Sequence, residues 1–182
     1  MIIPGGKRIP LDEEAFEEMK LIDIYDRHSK NHMMPVYRHF ASQINKYIAD
    51  GDIVLDIGAG SALLSIEVAE KTNKMIHIID VDMSKNILKR GIKNIKELNT
   101  SVKIDFACAA AANLPFPDNC FDLVISNASL HHWVEPVKVF REIHRVLKDT
   151  GVCFIRDNMR LSAAMLPIIN TISWYKRMEP EG

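Results

Sequence analysis

The stretch IVLDIGAGSALL at 53–64 constrains this chain more than any other: a short β-branched apolar run passes directly into a glycine turn and then into helical spacing. A strand, a tight turn and a helix in that order form the opening unit of a β-α-β repeat, and the repeat continues downstream. Apolar runs at 75–80 (MIHIID), 102–107 (VKIDFA), 121–126 (FDLVIS) and 152–157 (VCFIRD) predict four more strands. Apolar residues at helical spacing predict helices over 61–72, 84–98 and 136–148, each opened by Ser or Pro. Short, continuously apolar strands alternating with helices indicate an α/β fold, a parallel sheet covered on both faces. Residues 108–120 begin with alanines and then carry Pro115, Pro117 and Asp118-Asn119, which predicts a helical turn and then a loop. Before the first strand, helices are expected over 12–24 and 35–49, with DRHSKNHMM connecting them.

A chain of 182 residues, 47% of them apolar, suits one domain of about 100–200 residues. Twenty-three basic against twenty-four acidic residues give a net charge of -1, which excludes the strong positive field of many nucleic-acid binders. Lys85, Lys89, Arg90, Lys93 and Lys96 recur on one helix and read as a solvated face rather than a partner-binding stripe. No apolar run approaches the roughly 18 residues that span a bilayer, and the start turns acidic within a dozen residues. Cys108, Cys120 and Cys153 show no C-x-x-C spacing, so a reducing, cytoplasmic setting is expected, with the thiols packed inside. His28 and His32 lie four apart, but no carboxylate stands at a diagnostic spacing, and no metal site is expected.

Gly58 and Gly60 fall between the first strand and its helix. Ligands of open α/β sheets bind outside the carboxyl ends of the strands, where glycines let backbone N–H groups approach them. A dinucleotide fingerprint would need a third glycine at 63, where Leu63 stands. Asp56, just before the turn, can pair with a ligand's ammonium group. Asp80 and Asp82, at the end of the second strand, stand where an acid commonly accepts from ribose hydroxyls. The alternative for these acids is capping of turns and helices, for which Asp82 and Ser84 are good residues.

Four segments in this order, VLDIGAGSALLSIEVAE, IIDVDMSKNIL, NLPFPDNCFDLVISNASLHHW and FREIHRVLKDTG, resemble the class I S-adenosylmethionine-dependent methyltransferases, and look closest to the small-molecule enzymes of quinone C-methyltransferase type. The resemblance covers about residues 35–157. It implies a Rossmann-like, doubly wound sheet of at least five mainly parallel strands, with S-adenosyl-L-methionine as cofactor. Residue by residue, it implies that Asp56, Gly58, Ala59 and Gly60 hold the methionine part, with Asn127 near it. Asp82, with Met83 against the adenine, would hold the nucleoside. Two positions depart from the family. Ala62 stands where a third glycine is usual, and Ala110 stands where an Asp usually bonds the adenine amino group. Backbone groups of Ala110 and Ala111 are left to read the adenine edge.

Methyl transfer from a sulfonium is an in-line displacement with an activated leaving group, so positioning carries much of the rate. Where the acceptor needs a general base, His131 and His132 are the candidates, just past the fourth strand. The alternative is that this pair orders the loop beside Trp133. Asp157, ending the fifth strand, is a further candidate to face the acceptor. The expected organisation is an N-terminal helical lid (1–50), an α/β core that binds the cofactor (51–160) and a C-terminal helix (161–182), without the antiparallel hairpin that usually ends the family's sheet. The expected partner is a small, partly apolar methyl acceptor, with no membrane or nucleic acid. An open sheet edge leans the reading towards a homodimer. The rival reading is a non-catalytic or regulatory nucleoside-binding module, motivated by Ala110.

Overall fold

A computed structural model describes residues 18–157 apart from 97 and 99. Five strands, β1 (Ile53–Ile57), β2 (His77–Asp82), β3 (Lys103–Cys108), β4 (Phe121–Asn127) and β5 (Leu147–Arg156), form one sheet in the order β3-β2-β1-β4-β5, every neighbouring pair parallel. The winding leaves β1 in one direction through β2 and β3, then returns to its other side through β4 and β5. This is the doubly wound, Rossmann-like arrangement, and the crevice of such a sheet opens where the direction reverses, between β1 and β4.

Alternate residues of each central strand feed two cores. Val54, Ile78, Leu123 and Ile125 pack with α2 (Met34–Ile44) and α3 (Leu63–Lys71) through Phe40, Ile44, Leu64 and Val68. Leu55, Ile57, Val81 and Val124 meet α5 (Pro136–Val146) through Val139, Ile143 and Val146 on the opposite face. Each fully buried side chain of this kind contributes about 1.5–3 kcal/mol. On α4 (Lys85–Ile95), a Cβ at Gly91 would stand 2.9 Å from the Phe106 ring and 3.2 Å from Ala62, so glycine is what lets this helix approach β3 and the first turn.

The structure departs from the sequence expectations at several element ends. The segment DRHSKNHMM is mostly helical: α1 (Met19–His32) runs through it, because nothing breaks a helix until Pro35, which opens α2 in its first turn. Strand β2 begins at His77 and ends at Asp82, held in register with β1 from Ile53↔His77 to Ile57↔Val81. Helix α3 starts at Leu63, two residues late, since Ala62 takes a left-handed conformation (φ 65°). Helix α5 stops at Val146 and β5 begins at once, because Leu147 pairs with Phe121; the next residues bulge before Val152 meets Leu123. Ala110 and Asn113 close a turn without a helix. The predicted C-terminal helix lies outside the described residues.

Candidate functional site

A cavity of about 400 Å³ opens at the carboxyl ends of β1, β2 and β4. Its floor is the glycine turn. Gly58 and Gly60 hold left-handed conformations (φ 71° and 57°), and the N–H groups of Gly58 and Ala59 both donate to the Val81 carbonyl. A Cβ on Gly58 would lie 2.2 Å from Ser129 Oγ, so the position excludes every side chain. That hydroxyl is itself fixed as acceptor of the Trp133 indole N–H at 2.8 Å.

Asp56 lines the cavity and is buried. Asp80 faces it in register on β2, fully buried, and the Ser65 hydroxyl bridges them at 3.3 Å to Asp56 and 2.5 Å to Asp80. Burial, reinforced by Asp80, pushes the Asp56 carboxyl well above the usual range. Burial likewise pushes Asp80 up to about 7. Asp82 lines the cavity with Oδ2 accepting from the Gly60 N–H at 3.1 Å and Oδ1 from the Ser84 N–H at 3.0 Å. Its burial raises its pKa, and these backbone donors oppose the rise. Asp82 therefore caps a turn and also lines the cavity. Ser84 caps α4, accepting from the Ile87 N–H at 3.3 Å.

Met83 and Ala109 to Ala112 form one wall, Tyr25 and Tyr37 another, and Leu63, Leu64, Trp133 and Val139 supply apolar surface. Asn127 ends β4 at the same cavity. Its Oδ1 accepts from Arg156 at 3.1 Å, while its buried Nδ2 makes no hydrogen bond among the described residues. An unsatisfied buried donor costs about 1–3 kcal/mol until something accepts from it.

All the cofactor-binding residues expected from the sequence, Asp56, Gly58, Ala59, Gly60, Asp82, Met83, Ala110, Ala111 and Asn127, line this one cavity. The His pair divides. His132 lies at the mouth, whereas His131 is turned to Asp157, with Nδ1 at 2.6 Å from Oδ1 and its backbone N–H donating to Oδ2 at 2.6 Å. The two ring centroids lie 3.8 Å apart, with the planes tilted by 48°. His28, His32 and His39 are exposed, and among the described residues no three His, Cys, Asp or Glu side chains gather to hold a metal ion. Cys108 and Cys153 are exposed rather than packed inside, since both strands that carry them stand at the sheet's ends. The basic face of α4 is not wholly solvated: Arg90 pairs with the buried Asp26 of α1 at 2.7 Å.

Tyr25 and Tyr37, from the segment expected to act as a lid, line the cavity, whereas sequence reasoning missed the Asp56–Ser65–Asp80 cluster. The pairing of Ile53 with His77 sets Asp80 beside Asp56 on the neighbouring strand, a register that neither strand's residues encode locally.

The set of groups fits S-adenosyl-L-methionine. Asp56 offers an anion to an ammonium, Asp82 offers oxygens to vicinal hydroxyls, and Asn127 Nδ2 is a donor lacking an acceptor such as a carboxylate.

Residues 48–177 match the family described as a methyltransferase domain. The chain is 36% identical over 104 residues to demethylmenaquinone methyltransferase of Listeria welshimeri, covering 57% of this chain and 44% of that protein. To the ubiquinone/menaquinone biosynthesis C-methyltransferase of Geotalea uraniireducens it is 30% identical over 121 residues, 66% of this chain and 51% of that protein. The chain thus spans about half or less of the length of these curated relatives. Among solved structures, an assigned S-adenosyl-L-methionine-dependent methyltransferase of Methanococcus maripaludis is 28% identical with a TM-score of 0.73, over 93% of this chain and 78% of that one. A [4+2]-cyclase is 29% identical with a TM-score of 0.59, over 65% of this chain and 44% of that one.

Proposed function

Since the chain belongs to the methyltransferase-domain family, we propose that it binds S-adenosyl-L-methionine across the ends of β1, β2 and β4 and transfers the methyl group to a small, largely apolar acceptor. The observation that carries this reading is the convergence of Asp56, Asp82 and the unsatisfied Asn127 Nδ2 on one cavity floored by Gly58. When bound, this cofactor supplies an electrophilic methyl group on a sulfonium. The chain's own part is positional: Asp82 and the Gly60 turn fix the nucleoside end, and Asp56 and Asn127 fix the amino-acid end. Trp133, Val139, Leu63 and Leu64 shape an apolar space beside it that excludes water.

Tyr25 of α1 and Tyr37 of α2 give the N-terminal helices the place of a lid over this space. His132 at the mouth is the base for acceptors that must lose a proton, and His131, held by Asp157, orders it from behind. The quinone methyltransferases among the relatives favour a ring carbon activated by neighbouring hydroxyls as acceptor, consistent with the apolar lining. The reading also places the reaction in the cytoplasm, without nucleic acid, and in a homodimer joined at a sheet edge; sedimentation velocity tests the last.

The experiment is calorimetric titration with S-adenosylmethionine and S-adenosylhomocysteine, with NADH as the negative ligand. Asp82→Ala is expected to lose about 1.5–3 kcal/mol of binding, the range for hydrogen bonds lost at a charged group. Unchanged affinity in this variant would remove Asp82 from the site. The cyclase of the same fold favours a second reading, cofactor bound without methyl transfer. Formation of S-adenosylhomocysteine with a panel of phenolic and hydroquinone acceptors separates the two.

A further inference from the structure

Two carboxyl groups, Asp56 and Asp80, lie side by side on paired strands at 1% and 0% exposure, and one hydroxyl, Ser65 Oγ, stands between them. A hydroxyl has a single proton to donate. It stands nearer to Asp80 Oδ1 at 2.5 Å, and Asp80 Oδ2 has no hydrogen-bond partner among the described residues. A buried carboxylate oxygen without a donor is a poor place for negative charge. Asp56, by contrast, lines the cavity, where a cationic ligand group can meet it. Access to the cavity therefore makes Asp56 the outer acid, which can meet the ligand, and leaves Asp80 as the inner one.

We propose that Asp80 is a positioning residue that makes the Asp56 anchor pH-gated: the pair is substantially doubly protonated in the ligand-free protein near neutrality, and a cationic ligand drives one proton off. The inference rests on the reading of the cavity as a site for an ammonium-bearing cofactor. On binding, the neutral pair releases one proton to solvent and becomes a singly charged pair facing the ammonium. Charge then balances. The other titratable groups facing the pair are Asp82 on β2 and Tyr37 on α2, with Tyr25 on α1 beside Tyr37 and Asp82. Asp82 shares the acids' sign and adds to the cost of ionising them, and burial raises both tyrosines, so they stay neutral through this range. Burial already places Asp80 near neutrality, so the pair titrates where such a gate acts.

The test is the affinity for S-adenosylhomocysteine, by calorimetry in buffers of different ionisation enthalpy, for the wild type and for Asp80→Asn. Below the titration of the pair, wild-type affinity is expected to fall by up to about tenfold per pH unit, with protons released on binding. Asp80→Asn removes the neighbouring carboxyl while burial still raises Asp56, so the fall in its affinity is expected to begin at a lower pH than in the wild type. A merely structural role would lower affinity equally at every pH, and parallel profiles would overturn the proposal. Ser65→Ala serves if Asp80→Asn does not fold: it removes the hydroxyl that favours the charged forms, and is expected to move the gate to higher pH. Infrared difference spectra of the ligand-free proteins separate this inference from the cofactor reading. A carboxylic-acid carbonyl band near neutral pH that Asp80→Asn reduces supports the shared proton even if S-adenosylhomocysteine fails to bind. Absence of that band overturns it whatever binds.

Discussion

Gly58 shows how narrowly a single position is specified. Its left-handed backbone and the Ser129 hydroxyl 2.2 Å from where a Cβ would sit are independent demands, and only glycine meets both. Gly58→Ala is expected to cost about 2–4 kcal/mol, from left-handed strain and overpacking together, as read from denaturant unfolding. Ala62 is the converse case. It holds φ 65° without being glycine, on the turn that brings α3 off the strand. The sign of its backbone φ is not encoded in the residue name, so the sequence did not show this turn. The acids divide similarly. Asp56 and Asp82 were legible from their places beside the glycine turn, whereas the role of Asp80 depends on a cross-strand neighbour that no local pattern encodes.

Among the elements, the α1–α4 contact was the least legible, since nothing in either helix's sequence says that the two meet. Asp26 is fully buried, accepting from Arg90 at 2.8 Å and from Asn94 at 2.8 Å, and Asn94 also donates to the Ser61 carbonyl of the glycine turn. One carboxylate thus ties the helix carrying Tyr25 to the floor of the cavity. Burial opposes its ionisation, but donors from Asn94, Ser61, Arg90 and Lys30 prevail and hold its pKa below the usual value. A lowered folded pKa means that the stabilisation is present above the unfolded pKa and is lost as pH falls through the folded one. Hydrogen exchange of α1 is therefore expected to stay slow at neutral pH and to quicken under strong acid. Asp26→Ala is expected to cost about 2–3 kcal/mol by denaturant unfolding, somewhat less than a fully buried pair because Arg90 retains access to water. The strands, by contrast, were legible to within a few residues, since their apolar runs are set by burial on both faces. Their ends moved because register with a neighbour, not local composition, decides where pairing stops.

For the whole molecule, the buried acid pair sets an opposite pH dependence. A carboxyl whose folded pKa is raised binds more protons folded than unfolded, so its contribution falls as pH rises from the ordinary carboxylate range towards the folded value. Asp80→Asn is expected to raise stability by about 1–3 kcal/mol at pH 8 and to change it little near pH 5, as followed by chemical denaturation. Equal effects at both pH values would show that the pair is not protonated in the folded state.

The return of the chain to the far side of β1 has a further consequence, in time. The Ser126 hydroxyl donates to the Ile57 carbonyl across 69 residues of sequence, so the β1–β4 contact closes a long loop, whereas β1 meets β2 through a short crossover. Loop-closure entropy delays such distant pairings. The first three strands and their helices are expected to assemble before β4 inserts, and the crevice exists only after it does. In stopped-flow refolding, ligand binding should therefore lag the recovery of helical signal, and added ligand should slow unfolding while leaving the folding rate unchanged.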